Sequence, residues 1–130
     1  MKVLVIAGTP VDTAMGVMYL KKKNHDIQTV AEACGKDPRE CHLFQILSSE
    51  EKQSFYRKLI AGCIKDGIDS VFVYCNSLSA SVDFDLLSKE LNVKIITPYY
   101  AYRRIAKEYN NMALIAANKA ILLYSFAMRL

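Results

Sequence analysis

The residues with the clearest chemical potential are Cys75, Asn76 and Ser77, which directly follow the hydrophobic run 70–74. An apolar run without alternation is typical of a strand buried on both faces, as in a parallel sheet. Cys75 would leave the carboxyl end of that strand and face the start of a helix, where amides and the helix dipole favour a thiolate. Asn76, Ser77 and Ser79 would bring short polar side chains and free N–H groups that suit a carboxylate. A purely structural role, with Cys75 in the core and a serine as N-cap, explains the same residues equally well.

A second polar group follows the apolar run 3–7 and consists of Thr9, Pro10 and Asp12. Asp12 could act as a base toward a thiol or hold a substrate ammonium, although an acid in the first turn of a helix also needs no function. In parallel sheets ligands bind at the carboxyl ends of the strands, near the point where strand order reverses. A flavodoxin-like order would therefore bring loop 8–12 next to loop 75–79. A phosphatase loop of the Cys-x5-Arg type is excluded, because Ser81 occupies the arginine position.

These residues need a scaffold, and hydrophobic periodicity predicts one in which strands and helices alternate. The expected strands are 3–7, 27–31, 70–74, 93–97 and 112–116. The expected helices are 10–23, 48–67, 79–91, 100–109 and 119–130, with a long loop through 35–38. Right-handed crossovers then give an α/β fold: a flavodoxin-like three-layer sandwich with a four-stranded parallel sheet plus an extra C-terminal strand and helix.

Two of the predicted helices carry apolar stripes at helical spacing, and the first has Thr9 or Asp12 as its cap. The stripe of helix 10–23 consists of Val11, Met15, Met18 and Tyr19. The stripe expected to be buried in helix 48–67 consists of Phe55, Leu59, Ile60, Cys63 and Ile64.

Composition restricts the class of protein. The chain has 130 residues, is 52% hydrophobic and carries a formal net charge of +4, so a sizeable core is expected and disorder is not. The run Lys21–Lys23 falls where a helix should end, where cations complement the dipole, so no nucleic-acid partner is expected. No membrane span or signal peptide is predicted, which indicates a cytoplasmic protein with four reduced cysteines. Cys34, Cys41 and His42 fit no standard zinc spacing, so no metal is expected.

The stretch 66–80 resembles the Asp/Glu racemase superfamily, which includes glutamate, aspartate and hydantoin racemases. Members carry a Gly-(Val/Ile)-Asp strand followed by Cys-Asn-Thr. The corresponding residues here are Gly67-Ile68-Asp69 and Cys75-Asn76-Ser77, in which Ser77 keeps the hydroxyl. Segments 3–16, 93–98 and 112–116 are similar to the family's first strand and loop, its next strand and the strand that opens its second half.

The resemblance implies a cofactor-independent proton transfer at the Cα of an amino acid. In the family two α/β domains face each other, and each contributes a cysteine; one thiolate removes the proton and the other thiol returns one. It implies that Asn76 and Ser77 bind the substrate carboxylate and that Thr9 and Asp12 lie on the opposite wall. We therefore expect catalysis by Cys75 and Asp12, no cofactor, and a small amino-acid or carboxylate substrate bound by Thr9, Pro10, Asn76, Ser77 and Ser79.

Several departures from the family leave three hypotheses. The family's second cysteine lies beyond residue 130, Ala117-Asn118-Lys119 replaces a Thr-rich loop, and no Pro-Tyr-Gly element occurs near Phe44, so aspartate, hydantoin and other acids stay open. Residues 1–110 would form a racemase-type domain, and residues 111–130 the first strand and helix of an incomplete second domain, which would be inactive alone. Alternatively, a half-length homodimer joined through residues 112–130 shares Cys75 across a two-fold axis. The third hypothesis is a non-catalytic module that binds small carboxylates or other anions.

Overall fold

The computed structural model describes residues 1–109, which form an alternating series of strands and helices. The elements are β1 (Lys2–Ala7), α1 (Pro10–Lys23), β2 (Gln28–Ala33), α2 (Pro38–Ile46), α3 (Ser49–Lys65), β3 (Ser70–Val73), α4 (Asn76–Ser81), α5 (Phe84–Glu90), β4 (Lys94–Ile96) and α6 (Pro98–Glu108). The predicted strand 112–116, the predicted helix 119–130 and the domain boundary at 110 lie outside the described residues. Within residues 1–109, no helix is both long enough and apolar enough to cross a bilayer.

The four strands form one parallel sheet with the order β2-β1-β3-β4. This order confirms the prediction of an α/β fold of the flavodoxin-like kind. Strands β2, β1 and β3 end at almost the same level, because Ala7 pairs with Ala33 on one side and Ile6 pairs with Val73 on the other. The segments that follow β1, β2 and β3 therefore meet at one edge of the sheet, which is where ligands of such sheets bind.

The main core lies between the sheet and helices α3 and α5. The β1 side chains Leu4 and Ile6 pack there with Val71 and Val73 of β3. Tyr56 and Ile60 of α3, together with Phe84 and Leu87 of α5, complete this core cluster. Alternate residues of a strand point to opposite faces, so Val3 and Val5 belong to the other face, on which α1 packs.

The face that α1 turns toward the sheet is not its apolar stripe. The helix is buried through Thr13 and Gly16. A Cβ atom at Gly16 would lie 2.9 Å from Cγ1 of Val5, so the helix approaches the sheet more closely than a larger residue would allow. The predicted stripe of Val11, Met15, Met18 and Tyr19 is instead exposed, at 70, 50, 70 and 49%. Small residues, and not the apolar stripe, therefore define the contact face of this helix.

Three predictions needed correction. The loop after strand two contains a helix, α2, whose N-cap Asp37 accepts hydrogen bonds from the N–H groups of Arg39 and Glu40. The predicted helix 79–91 starts earlier, at Asn76, and is divided into α4 and α5 because Val82 is extended and Asp83 caps a new helix through the N–H of Leu86. In α3, which begins with the capping box of Ser48 and Glu51, Phe55 is exposed and Tyr56 is buried. Ile60 is buried as expected.

Candidate functional site

Cys75 lies at the carboxyl end of β3, at the position predicted from the sequence. It is the N-cap residue of α4, and its sulfur is 3.2 Å from Oγ of Ser77. A Cβ atom built on Gly8, the first residue after β1, would be 3.5 Å from the same sulfur, so Gly8 lies beside the thiol and leaves that space open. Ser79 is buried, and its hydroxyl donates to the carbonyl of Cys75 at 2.8 Å. These hydrogen bonds within the segment 75–79 hold the loop in place, and the Cys75 side chain is half-buried.

The loop after β1 is organised around Thr9 and Asp12. The N–H of Asp12 donates to Oγ1 of Thr9 at 3.1 Å, and that hydroxyl in turn donates to Oδ2 of Asp12 at 2.8 Å. Pro10 follows as the first residue of α1, where its missing N–H costs nothing. These interactions begin the helix as Thr9 was expected to do, and they occupy the Asp12 carboxylate with a capping bond.

Asn76 is oriented by the helix that follows β4. The hydroxyl of Tyr102 on α6 donates to Oδ1 of Asn76 at 2.8 Å. The ring of Tyr102 packs edge-on against that of buried Tyr99, at a centroid distance of 5.7 Å. Because the amide oxygen accepts from Tyr102, the amide NH2 of Asn76 is the end that can donate to a bound carboxylate.

Cys34 brings a second thiol to this edge of the sheet, directly after β2. Its sulfur is 3.4 Å from the carbonyl oxygen of Ala7 and 3.1 Å from the hydroxyl of Tyr56. Burial raises the pKa of Cys34 to about 11, and negative charge on Cys75 and Cys41 would raise it further, whereas the hydrogen bond with Tyr56 lowers it. Cys34 is therefore a neutral thiol near pH 7.

The next residue, Gly35, sets the path of the chain beyond Cys34. It is buried, and a Cβ atom at this position would lie 2.5 Å from the backbone nitrogen of Cys41 and 2.7 Å from the carbonyl carbon of Glu40. The Sγ of Cys41 donates back to the Gly35 carbonyl at 3.6 Å. Only glycine fits so close to the backbone of α2, so this contact fixes where the Cys34 loop runs.

A cavity of about 350 Å³ opens between these loops. Its lining includes Gly8, Cys34 and Ser77, and Lys52 and Gln45 lie on the wall formed by α3 and α2. The ammonium of Lys52 donates to the Gln45 carbonyl at 2.9 Å, which keeps a cation at the wall. A second cavity, of about 520 Å³, lies beside it between α3 and the α4–α5 junction, but its lining contains no cysteine. The first cavity is therefore the better candidate for chemistry.

The structure brings together part of the predicted site. Cys75 and Ser77 are in contact, and Gly8 joins them from the strand-one loop. Pro10 lines a separate shallow cavity beside Cys34 and Glu40. Sequence reasoning did not assign Cys34, Lys52, Tyr56 or Tyr102 to the site. A signal for Cys34 existed, because it follows β2 as Cys75 follows β3, but strand two was expected to end at residue 31, two residues before its observed end at Ala33.

One solved structure resembles this chain closely in shape. Glutamate racemase from Aquifex pyrophilus matches with a TM-score of 0.73 and 20% sequence identity, over 99% of this chain and 50% of that chain. The chain thus spans about half the length of that racemase. No family model and no curated protein matches the sequence. The chain therefore has the α/β fold found in half of that glutamate racemase.

Proposed function

We propose that this protein catalyses cofactor-independent proton transfer at the Cα of an amino acid, with Cys75 as the acid/base group. The observation that carries the proposal is the position of the Cys75 thiol. It stands at the carboxyl end of a central strand, 3.2 Å from Oγ of Ser77, and beside a cavity that Ser77 and Gly8 line. The racemase-like fold supports the same proposal, because the matching protein is a glutamate racemase.

The chemistry needs a base near Cα and donors for the carboxylate on which negative charge develops. Cys75 in its thiolate form would supply the base. The hydroxyl of Ser77 and the amide NH2 of Asn76 would supply donors, since Tyr102 already occupies the amide oxygen. Proton abstraction leaves the electron pair of the C–H bond delocalised into the carboxylate, and the same donors stabilise it there. Ser79 and Asp12 are assigned to holding the loops, because their side chains are engaged with the Cys75 carbonyl and Thr9.

We infer that the substrate is an amino acid with an acidic side chain. Lys52 contributes an ammonium group to the cavity wall, and the α-carboxylate is already served by Asn76 and Ser77. A second carboxylate is the group that such a cation would recognise best in a cavity of about 350 Å³. Aspartate and glutamate both satisfy this description.

The test is the exchange of the Cα hydrogen of L- and D-aspartate and of L- and D-glutamate in D2O, followed by NMR. The wild-type chain should exchange at least one of these substrates, and Cys75→Ser should lower the rate on the order of 100-fold or more. Cys63→Ser is the matched control, because Cys63 lies on α3 away from the cavity. Binding of the amino acids without any exchange would instead support a carboxylate-binding module.

A further inference from the structure

We propose that segment 119–130 packs on an open face of the sheet beside α1, and that segment 112–116 adds a fifth strand next to β4. The surface that receives segment 119–130, called the open face, consists of four side chains from α1, β4 and the run 70–74: Tyr19, Phe72, Tyr74 and Ile96. This placement is independent of the proposed function. It assigns both segments to the domain that holds Cys75 instead of to a second domain.

The two faces of the sheet are covered to different extents by residues 1–109. On one face α3 and α5 pack against β3, where Val71 and Val73 are buried. On the other face α1 packs on β1 and β2, and Val5 is fully buried beneath it. The register leads from Val5 to Phe72 and on to Ile96, so these three side chains form one row across that face. Phe72 and Ile96 are only partly buried, so the row loses its cover beyond α1.

Aromatic side chains form the border between α1 and the open face. The ring of Tyr19 stacks on the rings of Phe72 and Tyr74, at centroid distances of 6.2 and 6.5 Å. Tyr19 and Tyr74 are nevertheless exposed, and so is Met15, one turn before Tyr19 on α1. A contiguous apolar patch of this kind is typical of a surface that another element covers, and parallel sheets normally carry helices on both faces.

The position of α6 indicates the side on which the chain leaves β4. Tyr102 donates to Asn76 of α4, and Arg103 donates to Asp85 of α5 at 2.6 Å, so α6 lies against the helices of the α3 side. A right-handed crossover from β4 to a further parallel strand runs over this same side, as the crossover from β3 to β4 does. It places the new strand at the outer edge of β4, which pairs with no other strand among residues 1–109. Residues 97–111 supply the dozen or more residues that such a crossover needs.

The sequence of residues 110–130 suits these two positions. Segment 112–116 reads Met-Ala-Leu-Ile-Ala, an uninterrupted apolar run of the kind that parallel sheets bury. In the helix predicted over 119–130, Lys119 and Arg129 are the only charged residues. The large apolar residues of that helix are Ile121, Leu122, Leu123, Tyr124, Phe126 and Met128. Burial of these side chains requires an apolar surface, and the open face provides one.

The short connection between the two segments favours this chain over a second copy as the source of the covering helix. Only Ala117 and Asn118 separate them, so the helix starts at the carboxyl end of a strand that adjoins β4. The α3 side is already occupied by α3, α5 and α6, which leaves the open face. A helix over 119–130 is about 18 Å long, whereas β3 and β4 are about 10–13 Å long, so it covers Phe72 and Ile96 from end to end.

Photo-cross-linking in the full 130-residue chain tests the placement. Tyr19 or Tyr74 is replaced by p-benzoylphenylalanine, the folded variant is irradiated, and trypsin then releases residues 120–129 as one peptide, because Lys119 and Arg129 precede its two cleavage sites. Both variants should attach this peptide within a product that keeps the monomer mass of 14.7 kDa. Phe55 is the matched control, since it is an equally exposed ring on α3, and its replacement should not attach the peptide. Circular dichroism verifies that all three variants are folded.

Three results would overturn the placement. Attachment of peptide 120–129 only in covalent dimers would show that a second copy supplies the helix. Attachment from neither Tyr19 nor Tyr74 would show that the open face receives no part of it. Hydrogen exchange tests the added strand, because amides of residues 113–116 should exchange about 100-fold or more slowly than in the isolated peptide 108–119. Exchange as fast as in that peptide would exclude pairing with β4.

Discussion

The sulfur of Cys34 lies 3.1 Å from the hydroxyl of Tyr56, so a partly buried thiol and a buried phenol share one hydrogen bond beside the cavity. Burial raises the pKa of both groups above their ordinary values. The hydrogen bond with Tyr56 lowers the pKa of Cys34, whereas the charge of Cys34 and its hydrogen bond raise the pKa of Tyr56 further. The fold therefore favours the state in which both are neutral. This pair links the stability of the core to the protonation of the site.

The first prediction concerns alkaline pH. A group whose folded-state pKa is raised contributes stability that is complete below its unfolded pKa and is lost as the pH rises through the folded pKa. For Cys34 that range runs from 9.0 to about 11. The free energy of unfolding, measured with urea at a series of pH values, should fall across this range in the wild type and less steeply in Cys34→Ala. Ser77→Ala leaves the Cys34–Tyr56 pair intact and is the control; equal slopes in all three proteins would contradict the prediction.

The second prediction concerns the charge on the cavity wall. Lys52→Met should weaken the binding of aspartate and glutamate by roughly 10- to 100-fold, because a hydrogen bond to a charged group contributes about 1.5–3 kcal/mol. Binding of alanine should change little, since it has no second carboxylate. Isothermal titration calorimetry or KM values provide the measurement. Lys58→Met, at an exposed position of the same helix, is the matched control. An equal loss for acidic and neutral amino acids would show that Lys52 does not recognise the side chain.

The third prediction concerns the orientation of Asn76. Tyr102→Phe removes the donor to the Asn76 amide oxygen, so the amide is free to turn its oxygen toward the substrate carboxylate. A neutral hydrogen bond contributes about 0.5–1.5 kcal/mol, so kcat/KM should fall about two- to tenfold. Tyr100→Phe, which alters an exposed tyrosine two residues earlier, should leave kcat/KM unchanged. Equal kcat/KM values of the Tyr102→Phe variant and the wild type would show that Tyr102 of α6 does not contribute to the site.

The fourth prediction compares two glycines. Gly35→Ala should destabilise the protein by about 1–3 kcal/mol or more, because the new Cβ meets backbone atoms of α2 that cannot move independently. It should also speed alkylation of Cys34, whose loop must shift. Gly62→Ala, at an exposed position of α3, meets nothing within 4 Å and should stabilise the protein by about 0.5–1 kcal/mol through helix propensity. Thermal unfolding of both variants tests this, and a Gly35→Ala protein as stable as the wild type would refute the tight contact.

Much of this fold could be predicted from the sequence, because its strongest signals are local. The uninterrupted apolar runs of β1 and β3 and the caps at Thr9 and Ser48 predict their elements without any knowledge of the rest. The position of Cys75 follows from the end of β3. The alternation of elements then gives a parallel sheet, because such crossovers are right-handed.

What could not be predicted depends on contacts between distant segments. The apolar spacing of Val11 and Met15 does not reveal that Gly16 is the residue that fits against Val5. The break before α5 is stabilised by the Gln53 side chain, which both donates to the Asp83 carbonyl and accepts from the Asp83 N–H, at 3.0 and 2.8 Å. The position of Cys34 at the edge of the sheet depends on where β2 ends, and the pairing of β2 with β1 sets that end. In each case the deciding partner is far away in the sequence.

The central place of β1 in the sheet has a kinetic consequence. β1 is the first strand in the chain, yet its two neighbours start only at residues 28 and 70, each after at least one intervening helix. Hairpin formation cannot nucleate such a sheet, and the long loops must close first, which slows folding. The environment that distinguishes Cys34 from an ordinary thiol exists only after all three strands have joined. During refolding, the slowing of Cys34 alkylation should therefore mark the completion of the sheet and follow the appearance of helical circular dichroism.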